Sequence, residues 1–172
     1  MVLPLISPEY LEQNRQLHET TPEYGKGGTR RLDRTLALCE LLGAKTILDY
    51  GCGKGGLVKA LREAGYEAQG YDPAIEEFSA PPMPADVVIC TDVLEHIEPE
   101  RLDAVLDDLQ RLAKKGAYLL VSTSVAKKIL PDGRNAHLIV KHSNWWLFHL
   151  MRRFLLLEFV SGTRGFEAFL GK

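Results

Sequence analysis

Cysteine is scarce in this chain: three in 172 residues, Cys39, Cys52 and Cys90, an odd number set far apart. That pattern offers no disulfide framework and no zinc-like spacing, and it suits reduced intracellular thiols. Long apolar runs are also missing. Leu155-Leu156-Leu157 is interrupted by Glu158 well before the roughly 20 residues of a membrane span. The opening Met1-Val2-Leu3-Pro4-Leu5-Ile6 lacks the basic start of a signal peptide, so a soluble cytoplasmic protein with no membrane partner is expected. A net charge of only −2 gives no general pull toward nucleic acid, and no internal repeat is visible. What is present is enough apolar material, 45% of residues, for one compact domain across residues 1–172.

The small net charge hides an uneven distribution. Residues 1–113 hold 11 basic and 20 acidic side chains, whereas residues 114–172 hold 10 basic and only 3 acidic. Lys114, Lys115, Lys127, Lys128, Arg134, Lys141, Arg152 and Arg153 can therefore form either a solvated surface or a face for an anionic substrate.

The most informative segment is Ile47-Leu48-Asp49-Tyr50-Gly51-Cys52-Gly53-Lys54-Gly55-Gly56. Its apolar start reads as a buried parallel strand, and Leu57-Val58 with Leu61 reads as the start of a helix, so the glycines occupy a strand-to-helix turn where backbone can approach a ligand. Gly51, Gly53 and Gly56 satisfy the dinucleotide pattern, but Asp49 would repel a pyrophosphate. Lys54 is followed by Gly55, which excludes a phosphate-binding P-loop. S-adenosylmethionine (SAM) carries an ammonium and a sulfonium and no phosphate, and it suits an acid before a glycine turn. Gly70-Tyr71-Asp72-Pro73 follows about twenty residues later, with an acid able to accept both ribose hydroxyls.

With Asp86 to Ile97, these segments resemble three ordered motifs of the class I SAM-dependent methyltransferases, a likeness reaching over about residues 30–170. The resemblance implies an α/β, Rossmann-like sheet, mostly parallel, closed by a C-terminal antiparallel hairpin in the family order 2-1-4-5-7-6. It implies SAM as cofactor, held by Asp49, Gly51, Cys52, Gly53, Asp72, Pro73, Thr91 and Asp92, with Cys90, Thr91 and Asp92 bordering the adenine and the methyl end. Tyr24 and Gly25 match a Tyr-Gly segment that folds over the cofactor in similar small methyltransferases, although a plain connector fits equally. Residues 1–28 then form an extra N-terminal helix, capped by Ser7, and a lid loop.

The periodicity predicts helices from Ser7 or Pro8 to His18, over Thr29–Leu42, 56–64, Arg101–Leu112 (ended by Gly116) and Asn144–Phe154. Strands are expected over 45–50, 67–72, 86–90, Tyr118–Ser124, Leu155–Ser161 and Gly165–Leu170. One departure from the family stands out: only thirteen residues separate Asp72 from Asp86, and Pro73, Pro81, Pro82 and Pro84 lie among them. Prolines exclude a central strand, so the family's third strand and its helix are expected to shrink to a loop.

For chemistry, Glu95, His96 and His137 are the expected catalytic groups, because removing a proton from an oxygen or nitrogen nucleophile calls for a base that titrates near neutrality. Arg134 and His137 are expected to line the acceptor pocket, and Trp145-Trp146 to pack in the core rather than stack a base. Asp92, Glu95, His96 and His137 also resemble the divalent-metal set of the small-RNA 3′-terminal 2′-O-methyltransferases, with Asp in place of the first Glu. The expected function is methyl transfer from SAM to an O or N atom of a small or medium acceptor, anionic if the basic third lines its site. Metal-assisted methylation of an RNA 3′ end is the alternative, and a non-catalytic SAM-binding protein or an NAD-dependent oxidoreductase are the readings of another class.

Overall fold

The computed structural model describes residues 4–21, 25 and 27–172. A six-stranded sheet organises them: β1 (Thr46–Tyr50), β2 (Glu67–Tyr71), β3 (Ala85–Thr91), β4 (Ala113–Ser122), β5 (Leu155–Ser161) and β6 (Gly165–Gly171). Their spatial order is β2-β1-β3-β4-β6-β5, parallel from β2 to β4 and antiparallel across β4, β6 and β5. This is the expected family order with its third strand missing. Residues 73–84 hold only a short 3-10 turn, Glu76–Phe78, folded back so that the Asp72 amide donates to the Phe78 carbonyl at 3.0 Å.

Each central strand sends alternate side chains to opposite faces, so each face carries its own core. Ile47, Val87, Ile89, Tyr118 and Phe169 pack against α2 (Leu32–Leu41) and α3 (Gly56–Glu63). Leu48, Val88, Cys90, Leu119 and Leu170 face α4 (Leu102–Leu112) and α5 (Ser143–Leu150). In α4, Leu102, Val105, Leu106, Leu109 and Leu112 recur at helical spacing and are all buried, the stripe that makes this segment a sheet-covering helix. Trp146 is completely buried and Trp145 packs beside it, which bears out the core assignment of the pair.

Helix α1 (Pro8–Thr20) is capped as expected, Ser7 Oγ accepting from the Tyr10 amide at 3.2 Å. It forms a satellite cluster through Tyr10 and Leu17 with Leu130 and Ala136. Its start is fastened where Ser7 donates its amide to Glu98 Oε2 at 2.8 Å and Arg101 pairs with the same carboxylate at 3.1 Å. Among the described residues, no helix is long and apolar enough to cross a membrane.

Several boundaries differ from the sequence expectation. Gly27–Arg31 is a 3-10 turn preceding α2. Gly116 does not end α4: the helix stops at Leu112, β4 begins at once, and Gly116 lies inside the strand. There a Cβ would collide with the Leu170 carbonyl and come within 2.8 Å of Leu42, so the glycine serves close packing between β4 and β6. Strand β4 closes at Ser122, and α5 stops at Leu150 and is capped by His142, whose Nδ1 accepts from the Asn144 amide.

Leu109→Ala should lower unfolding stability by about 3 kcal/mol, as a fully buried leucine leaves a cavity between α4 and the sheet. Urea denaturation checks this; a loss under about 1 kcal/mol would show that the site collapses around the gap.

Candidate functional site

The C-terminal ends of β1, β2 and β3 open onto a cavity of about 260 Å³. Gly51 and Gly53, just after β1, have φ of +78° and +52°. A Cβ on Gly51 would strike Val93, and one on Gly53 would lie 2.6 Å from the Gly25 Cα. The turn is therefore pressed between two other segments, which only glycine permits. It is held from below as well, because the Gly51 and Cys52 amides donate to the Tyr71 carbonyl at 2.7 and 3.1 Å.

Asp72 ties this turn to the one after β2. Its Oδ2 accepts from the Gly53 amide and its Oδ1 from the Ala74 amide, each at 3.0 Å. His18, from α1, brings Nε2 to 3.9 Å from the same carboxylate. Asp49, at the end of β1, is only 4% exposed, and burial, with the nearby Asp72 charge, pushes its carboxyl up to about 7.

The cavity lining includes Gly25, Asp49, Gly51, Cys52, Gly53, Asp72, Pro73, Thr91 and Asp92, so the structure brings these expected residues together. Tyr24 lies outside the described residues. Cys90 does not reach the cavity; it is buried in the core facing α4. Tyr10, Asn14 and His18 of α1 complete the wall, a contribution that helical spacing alone did not reveal.

Beyond β3 the chain turns sharply. Asp92 has φ of +56°, the one non-glycine residue with positive φ among those described, and its amide donates to the Leu120 carbonyl at 3.0 Å. The following 3-10 turn, Leu94–His96, drives Glu95 inward and leaves His96 at the cavity. Glu95 is 0% exposed; its Oε1 accepts from the Ser122 amide at 2.9 Å, while the equally buried Oε2 has no hydrogen-bond partner. Burial raises this carboxyl to about 8 and lowers the His96 imidazole to about 4.

His96 Nδ1 faces the Ala136 carbonyl at 2.8 Å, and His137 Nδ1 faces the Ser124 carbonyl at 2.5 Å. A carbonyl oxygen only accepts, so both Nδ1 atoms carry the hydrogen, and in the neutral form of either ring Nε2 presents a lone pair. The rings meet edge to face, centroids 4.8 Å apart. Glu95, His96 and His137 can each offer a ligand atom within 4.8 Å of the others; Asp92 is not part of that group.

A second depression, of about 860 Å³, adjoins the first and shares Asp92 and His96 with it. His137 lines it, but Arg134 does not: its guanidinium is bound to Asp132 at 2.7 Å and lies over the Tyr10 ring. Of the basic C-terminal third, Lys127, Lys128 and Arg164 reach this depression, joined by Arg30 and Arg31 from the turn before α2. Lys115 pairs with Asp86, and Arg153 with Asp103 and Asp107, elsewhere.

The 1,6-didemethyltoxoflavin-N1-methyltransferase of Burkholderia thailandensis, with its acceptor and S-adenosylhomocysteine (SAH) bound, superposes with a TM-score of 0.69 at 15% identity, over 100% of this chain and 93% of that one. Magnesium protoporphyrin IX methyltransferase from Synechocystis PCC 6803, with SAH, gives a TM-score of 0.63 at 17% identity, covering 96% and 95%. The N-methyltransferase NodS of Bradyrhizobium japonicum WM9, also with SAH, gives 0.59 at 15%, covering 95% and 97%. At such identities the likeness establishes the fold. No curated protein sequence matches significantly. The sequence model of a methyltransferase domain, however, matches residues 18–160, most of the chain, and this chain belongs to that methyltransferase domain family.

Proposed function

We propose that this chain is a cytoplasmic enzyme that transfers the methyl group of SAM to an oxygen or nitrogen atom of a small or medium acceptor. The observation that carries the reading is the charge of the first cavity. Its described lining contains Asp49, Asp72 and Asp92 and no lysine or arginine. Such a site favours a ligand bearing an ammonium and a sulfonium and repels a pyrophosphate, which argues against a dinucleotide. Asp49 takes the amino group, the Gly51–Gly53 turn with Cys52 accommodates the methionine part, and Asp72 and Pro73 border the ribose. Thr91 and Asp92 lie toward the methyl end, with Gly25 over the turn. The S-adenosylhomocysteine bound in the similar structures adds support.

SAM supplies the electrophilic methyl and its own leaving group, so the protein's task is alignment and removal of a proton. His96 stays neutral at physiological pH and is too weakly basic to take that proton. His137 takes it, while His96, at the junction of the two depressions, orients the nucleophile through Nε2. Glu95 sits behind the pair as a positioning residue, and its ionised form would offset a charge arising on the histidines.

The same three side chains support a second reading, metal-assisted transfer to a ribose hydroxyl at an RNA end. Two Nε2 lone pairs fixed by backbone carbonyls and one orphaned carboxylate oxygen fit a divalent ion's preferences. The 4.8 Å spread exceeds the roughly 3.5 Å between ligands bound at about 2.1 Å, so the groups would have to close by about 1 Å. A bound ion would be held by Glu95, His96 and His137 and would act as a Lewis acid toward the hydroxyl. Chelator treatment should leave methyl transfer unchanged under the first reading; loss of activity restored by one divalent metal would establish the second.

Because Asp49 titrates near 7 without ligand, a cation binding beside it should expel a proton. SAM affinity is therefore expected to rise between about pH 5.5 and 7.5 and then level off, with Asp49→Asn weaker and flat across that range. Calorimetry in two buffers of different ionisation enthalpy measures the proton released; none released, or an unchanged profile in the variant, removes Asp49 from the amino-group role. His137→Ala should lower kcat about a hundredfold or more with SAM affinity preserved, read by single-turnover transfer. Near-normal turnover would take the proton-acceptor role away from His137.

A further inference from the structure

Positive charge is concentrated in the second depression. Its described lining holds Arg30, Arg31, Lys127, Lys128 and Arg164 against Asp92 and Glu167, an excess of three positive charges on a chain whose net charge is −2. These cations come from three separate segments: the turn before α2, the loop after β4 and the turn between β5 and β6. Glu167 is already engaged by Arg31 at 3.3 Å and Arg34 at 3.2 Å. Arg30, Lys127 and Arg164 form no ion pair among the described residues.

The cations also lie within electrostatic reach of the reacting groups. Arg31 and Arg30 both act on the Asp92 carboxyl, and Lys128 acts on the His96 imidazole. An anion seated among them would stand beside the histidine pair and next to the cavity that receives the donor. A single carboxylate would leave most of this charge unmatched, whereas a phosphate monoester or diphosphate spreads two or more negative charges over several acceptor oxygens.

We propose that the acceptor is a small phosphorylated molecule, whose phosphate or diphosphate is held by Arg30, Lys127 and Arg164 so that a hydroxyl or amine on its other end reaches His96 and His137. This assignment rests on the methyltransferase reading for the direction from which the methyl arrives; the anion site itself rests on the second depression alone. Arg31 remains with Glu167 and steadies the floor. The acidic first cavity and the basic second one then sort the two reactants by charge, each repelling what the other takes.

The test titrates inorganic pyrophosphate into the protein at constant ionic strength, with and without SAH, followed by calorimetry and by NMR of the histidine rings. Saturable binding is expected, with movement of the His96 and His137 signals. A Lys127→Gln/Arg164→Gln double variant should weaken pyrophosphate about tenfold or more while keeping SAH affinity within about twofold, and Arg30→Gln, on a different segment, should act in the same direction. Acetate should bind at least about tenfold more weakly than pyrophosphate. No saturable pyrophosphate binding, or binding indifferent to all three substitutions, overturns the proposal. Acetate binding as well as pyrophosphate would overturn the phosphate assignment. A short RNA bound more tightly than pyrophosphate, with steep salt dependence, would overturn the small acceptor in favour of a nucleic-acid end. Failure of SAH to bind counts against the cofactor reading, and the pyrophosphate titration without SAH is then still decisive for the anion site.

Discussion

The Asp72 carboxylate is the tie on which the site depends. Each of its oxygens accepts a backbone amide, from Gly53 and from Ala74, so one side chain sets the distance between the turns leaving β1 and β2. Hydrogen bonds to a charged acceptor contribute on the order of 1.5–3 kcal/mol each, and here both are shielded from solvent. The glycine turn held this way is also pressed against Gly25, whose carbonyl accepts from the Lys54 amide at 3.1 Å. Through that contact the tie extends to the segment following α1, so α1 and the two turns form one wall of the cavity.

Charge then gives the cavity its character. Burial is the main obstacle to ionising Asp49, and the nearby Asp72 charge adds to it. A cation relieves both effects. Across the β3 edge the balance reverses, with an excess of basic groups from three segments. Between the two fields stand His96 and His137, each with Nδ1 committed to a carbonyl and Nε2 directed elsewhere, an arrangement that needs no help from the ligands to hold its tautomer.

Much of this was legible from local patterns. The apolar run ending in Asp49, the glycines after it and the acid at position 72 are short-range signals, and the strand-turn-helix geometry they imply is what the fold contains. The prolines between Asp72 and Asp86 foretold the missing strand, because proline cannot donate to a central ladder. Gly116 was misread for the opposite reason. After an amphipathic helix a glycine looks like a stop signal, yet its need arises from the Leu170 carbonyl on a strand more than fifty residues away. Arg134 was likewise credited to the acceptor pocket by its neighbourhood in the chain, but Asp132, two residues before it, claims the guanidinium.

By itself the sequence determined the sheet, the glycine turn and the acids of the first cavity, since these rest on periodicities and backbone preferences that act over a few residues. Only the tertiary structure decided that α1 walls the cavity and that the ligand atoms of Glu95, His96 and His137 meet within 4.8 Å without Asp92. It also decided that Arg30 joins Lys127 and Arg164 from the far end of the chain. Those outcomes depend on which loops the parallel crossovers carry to the same sheet edge, and on burial and charge that arise only once distant segments are packed together.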